Sequence, residues 1–96
     1  MKSYYLYKKF INVLKEGSVE VIITNIVGKD SGYTIGDRIY INHRCGDILN
    51  TFVHELIHFL YPELPHRKVY KLEREYIKNS SWFQKTTLLK FLIDRN

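Results

Sequence analysis

The sequence predicts an α+β domain: one amphipathic helix, a three-stranded antiparallel sheet, then three further helices. Three observations carry this. Apolar residues recur at helical spacing through the first sixteen positions; a β-branched run and a glycine-turned hairpin follow; and from Asp47 onward the helical pattern returns, punctuated by Pro62 and Pro65. A chain of 96 residues makes one domain, 1–96, because it is too short to support two independent cores.

Residues 3–16 are the first helix. Tyr7, Phe10, Ile11 and Leu14 share a face, Lys8, Lys9 and Lys15 lie off it, Ser3 is a candidate cap and Gly17 stops the helix. VEVIITNIV, 19–27, is apolar on both faces apart from Glu20, Thr24 and Asn25, which suits a well-covered strand. GKDSG is a loop. YTI and RIYIN then flank Gly36-Asp37, a pair that suits a type II′ hairpin turn, so the three strands are expected to form a meander. RCGD, 44–47, is the exit turn, with Asp47 as N-cap of a helix over 48–61 that ends at Pro62. Pro65 suits the first turn of the next helix, 65–79. SWFQ, 81–84, has the form of a capping box and opens a last helix through Leu88, Leu89, Phe91 and Leu92.

The composition narrows the function classes. Lys and Arg number 15 against 10 acidic residues, a formal charge of +5, but they are spread along the chain. The densest group, Arg67, Lys68, Lys71, Arg74 and Lys78, falls on one side of helix 65–79 and reads as a solvated face, with nucleic-acid binding as the less favoured alternative. Cys45 is the only cysteine, which excludes an intramolecular disulfide and a cysteine-only zinc knuckle. MKSYYLYKKFINVLKE has lysines where a signal peptide needs an unbroken apolar stretch, and no apolar run approaches the roughly 20 residues that span a bilayer. The expectation is a cytoplasmic protein without membrane attachment. His43 and Cys45 read as turn residues, and Trp82 and the other aromatics at helical spacing as core.

The chemistry concentrates in TFVHELIHFLYPELPH, 51–66, which holds three of the four histidines. At 100° per residue, His58 falls about 40° from His54, Thr51 about 60° and Glu55 about 100°, while Phe52, Val53, Leu56, Phe59 and Leu60 fill the opposite arc. A helix so apolar is buried, and two histidines one turn apart on it direct their imidazoles at one point, as zinc requires. Glu55 lies one position along, within reach of a water activated by the metal, as a general base for hydrolysis. The alternative is three separately hydrogen-bonded buried side chains; each then needs its own partner, whereas one cation serves all three.

Through His54-Glu55-Leu56-Ile57-His58 the chain resembles the zincin metallopeptidases. The layout agrees: YTIGDRIYIN supplies a small sheet with an edge strand ahead of the motif helix, and a helix carrying a glutamate follows. In size and element order it is most similar to the minigluzincins, very small glutamate-liganded members, and it lacks the C-terminal subdomain of larger gluzincins. The resemblance implies a zincin-like fold, a Zn2+ cofactor, a peptide or protein substrate, and zymogen-like latency through the C-terminal segment.

For the third ligand, helix 65–79 offers Glu73 in the middle of its apolar face, among Val69, Leu72, Tyr76 and Ile77, where an ionised carboxylate needs a metal or a counter-charge. Glu73 is therefore the expected ligand beside His54 and His58, with a salt bridge from another element as the competing reading. His66 lies on the same face, eight residues after His58, and is a rival ligand or a group supporting the developing oxyanion. The expected function is zinc-dependent peptide-bond hydrolysis. Its rivals are a non-catalytic zinc protein and a DNA-associated peptidase using the basic face. FLIDRN, 91–96, carries Asp94 and the terminal carboxylate, either of which could reach a metal in a latent form.

Overall fold

The computed structural model describes residues 2–94. In chain order its elements are α1 (Lys2–Glu16), β1 (Glu20–Thr24), β2 (Gly32–Ile35), β3 (Arg38–Asn42), α2 (Ile48–Leu60), α3 (His66–Asn79) and α4 (Trp82–Asp94). The α+β class and the order of elements agree with the sequence reading. The pairing of the strands does not.

The sheet is mixed rather than an antiparallel meander, with strand order β1-β3-β2. β3 runs parallel to β1, from Glu20↔Arg38 to Thr24↔Asn42, and antiparallel to β2. The inward-facing residues explain why β3 takes the centre. It contributes Ile39 and Ile41, both fully buried, whereas β2 offers only Gly32 and Thr34 to that side, so β2 loses least at the edge. The connection 25–31 must then cross the end of β3, and Asn42 fastens it there. The Asn42 side chain donates to the Ile26 and Asp30 carbonyls at 3.4 and 3.1 Å, and its backbone N–H donates to the Ser31 carbonyl at 2.8 Å. This crossing ends β1 at Thr24, short of the expected Val27, which is 99% exposed.

Local signals elsewhere behave as their chemistry dictates. Gly36 has φ 58°, and among the described residues no non-glycine has positive φ, which fits a type II′ turn at Gly36-Asp37. Asp47 caps α2 by accepting from the Asn50 N–H at 3.0 Å. Pro65, with φ −68°, is the N-cap of α3. Ser81 accepts from the Gln84 N–H at 3.1 Å, but the reciprocal half of the capping box is missing: Gln84 Oε1 is buried without a hydrogen bond. Trp82, expected in the core, is 79% exposed, because it stands in the first turn of α4 while Leu88 and Leu92 further on dock the helix.

α2 is the centre of the molecule, packing on β2, β3, α3 and α4. Its Phe52, Val53, Leu56 and Ile57 are fully buried with Phe10, Leu14, Ile39, Ile41, Val69, Leu88 and Leu92. Tyr76 of α3 meets Phe10 edge-to-face, ring centroids 5.2 Å apart. Among the described residues no helix is long and apolar enough to cross a membrane.

Candidate metal centre

α2 and α3 pack side by side, and β2 lies along the other flank of α2. Between them opens a cleft of about 960 Å³, lined by His54, Glu55, His58, His66, Tyr70 and Glu73 from the helices and by residues 29–34 from the β2 side. That volume suits a peptide segment or a small molecule.

His54 is the hub. Its Nε2 lies 3.1 Å from the Nε2 of His58, as the i, i+4 spacing on α2 predicts. Its Nδ1 lies 2.8 Å from Glu73 Oε1 on α3, and the other oxygen of that carboxylate accepts from Asn50 Nδ2 at 3.3 Å. Glu73 is 8% exposed, so these two contacts are what satisfy a carboxylate placed in an apolar face. His66, at the exposed start of α3, holds its ring 4.7 Å from that of His58 and tilted to it, and the Tyr70 ring sits 4.7 Å from that of His54. One ligand nitrogen each from His54, His58 and His66 lie within 4.8 Å of one another.

The three histidine nitrogens lie close enough together to hold a metal ion. Zn–N bonds of 2.0–2.1 Å in a tetrahedron put two ligand nitrogens roughly 3.3 Å apart, and the His54 and His58 nitrogens are at 3.1 Å. Burial, followed by the nearby His54 and His66, holds His58 below the usual histidine pKa and so favours the neutral, metal-binding form. Glu73, the expected third ligand, lies against the Nδ1 of His54, and His66 offers a nitrogen within 4.8 Å of those of His54 and His58. The imidazole of His54 thus has one nitrogen on Glu73 and the other on His58.

Glu55 is 5% exposed, and Thr34 Oγ1 donates to its Oε1 at 2.7 Å. Burial pushes the Glu55 carboxyl pKa up, opposed first by this hydrogen bond and then by His54 and His66. β2 comes this close because Gly32 has no side chain: a Cβ there would meet the Tyr40 carbonyl at 2.6 Å and the Thr51 methyl at 3.1 Å. The free edge of β2 also faces the cleft. Ile35 and Arg38 close the hairpin, and Asn42 N–H donates to Ser31 O, so Ile35, Tyr33 and Ser31 bond to β3. Gly32 and Thr34 turn their backbone N–H and C=O outward.

Thr34, Asn50 and Tyr70 were not singled out from the sequence. Asn50 and Tyr70 carried a usable signal, each four residues from a histidine on its own helix (His54 and His66). Thr34 carried none. His43 is exposed and Cys45 half-buried in the exit turn, as expected. Among the described residues none from α4 lines the cleft, so Asp94 is not at the site; the terminal carboxylate, which the latency expectation also invoked, lies outside the described residues. The basic residues of α3 are exposed and, among the described residues, form no ion pair. Comparison with protein-family models, curated proteins and solved structures finds no match to this chain.

Proposed function

We propose that this chain is a zinc-dependent peptidase. The observation that carries the reading is the His54–His58 nitrogen pair, 3.1 Å apart in the same cleft as the Glu55 carboxylate. His54, His58 and His66 would hold the metal, with Glu73 orienting His54 through Nδ1, an arrangement common behind metal-bound histidines. When bound, zinc supplies Lewis acidity, activating a water and polarising the scissile carbonyl. Glu55 takes the proton of the attacking water and delivers it to the leaving amine. An extended substrate strand pairs with the outward backbone groups of Gly32 and Thr34, which sets the scissile bond beside Glu55.

A second reading has Glu73 as the third ligand in place of His66. Its support is the burial of that carboxylate on the cleft wall, one hydrogen bond from His54.

The test is metal analysis of the purified protein, then cleavage of a peptide library with and without chelator. Glu55→Gln should retain zinc and lose turnover by about 10²-fold or more. Cleavage that survives both chelation and Glu55→Gln would reject the proposal.

A further inference from the structure

We infer that Thr34 is the positioning residue for the general base: its hydroxyl, carried on the free edge strand, aims the Glu55 carboxylate at the cleft and ties that aim to the strand along which substrate pairs. The inference rests on the peptidase reading.

The geometry supports it from three sides. Thr34 Oγ1 donates to Glu55 Oε1 at 2.7 Å, the length of a charge-assisted O–H···O bond, and lies farther, at 3.3 Å, from the Glu55 backbone carbonyl. Among the described residues no other side chain hydrogen-bonds that carboxylate, so a nearly buried glutamate has one fixed oxygen and one free for a proton in transit. Thr34 is also opposite Ile39, a central-strand residue with no exposure, which pins its side chain to the helix side of the sheet. Its own N–H and C=O point the other way along the sheet plane, to the free edge. A strand docked on that edge immobilises the backbone of the residue whose hydroxyl holds the base.

The close approach that makes this contact is built in by Gly32, two residues earlier on the same face. A Cβ there would run into the Tyr40 carbonyl of β3 and crowd the Thr51 methyl of α2, so β2 could not keep its place between them. A short edge strand laid flush on a buried helix is a costly way to cover apolar surface, since it offers only a glycine and a threonine. It is an economical way to bring one hydroxyl to one carboxylate.

The test compares Thr34→Val, which keeps the shape and removes the donor, with Thr34→Ser, which keeps the donor. Thr34→Val should lower kcat by about tenfold or more with KM and zinc affinity unchanged, and Thr34→Ser should restore most of kcat. Independently of activity, the Glu55 side-chain carboxyl carbon, assigned by its loss in Glu55→Gln, should shift in the NMR spectrum of zinc-loaded Thr34→Val and return in Thr34→Ser. An unmoved carboxyl signal in a folded Thr34→Val protein overturns the inference, whatever the activity. Equal losses of kcat in Val and Ser variants, or a change confined to KM and Tm, would likewise make Thr34 a structural contact only. If wild-type protein lacks chelator-sensitive cleavage, the peptidase reading fails while the carboxyl shift still decides whether Thr34 holds Glu55.

Discussion

Two turns of α2 show two ways of fixing a side chain. Phe52, Val53, Leu56 and Ile57 are fully buried in a core drawn from every helix and the sheet, and they are held by shape and volume. On the other side His54, Glu55 and His58 are held by named partners: Glu73 and Asn50 behind the first, Thr34 on the second, the neighbouring imidazole on the third. The apolar side fixes where the helix lies. The polar side fixes where a few atoms point, which packing alone does not do. The difference teaches that the polar cluster is preorganised by the division of one helix, with the packed half supporting the hydrogen-bonded half.

The largest effect should come from removing the hub. His54→Ala deletes the nitrogen that faces His58 and leaves Glu73 without its imidazole partner. On the proposed reading, zinc binding should fall below detection in a calorimetric titration, and the zinc-dependent rise in Tm expected of the wild type should vanish with it. A folded His54→Ala protein that still binds one zinc with wild-type affinity would mean the polar face is not the metal centre.

A cut of comparable severity on the apolar face should have the opposite profile. Leu56→Ala empties volume in the middle of the core and should cost about 2–5 kcal/mol of unfolding free energy. Leu56 lies about 200° from His54 around α2, so below its lowered Tm the variant should still bind zinc at the wild-type stoichiometry. Denaturant unfolding and metal analysis of the same preparation measure both. If Leu56→Ala loses zinc while folded, the two faces are one unit and the contrast between them breaks.

What could be read from the sequence follows the same division. Periodicity and local chemistry located α2 and its contents: the apolar arc, Asp47 as cap, Pro62 as stop, and His54 and His58 on one stripe. Each is a relation between residues close along the chain. The strand order was not legible, since nothing in VEVIITNIV or RIYIN states that β3 will enter between β1 and β2. The pattern that would have hinted at it is the weak inner face of β2, a glycine and a threonine, which is an edge-strand composition. Thr34 was invisible for that reason: its partner Glu55 is distant in sequence, and its role depends on the pairing. Glu73 was legible as a buried carboxylate in need of a partner, but not which partner, because a metal and an imidazole nitrogen satisfy it equally well on paper.

That last ambiguity gives the smallest effect and the finest distinction. Glu73→Gln keeps the volume, and its amide oxygen can still accept from His54 Nδ1, so the ring stays in place and only the charge behind it goes. Loss of such support should weaken zinc binding by about 10–100-fold. His66→Ala removes a nitrogen from the group of three and should weaken it more. The core should register neither change strongly: His66 is exposed, and the Asn50 amide can turn over so that its oxygen accepts from the glutamine NH2 that replaces the oxygen it now donates to. Zinc titrations of both variants at one pH give the ranking directly. A larger loss in Glu73→Gln than in His66→Ala would make the carboxylate the third ligand. His54 would then have to present zinc and Glu73 to each other rather than stand between them, and α3 would join the metal through its buried face, where Val69 and Tyr76 already lock it to the core.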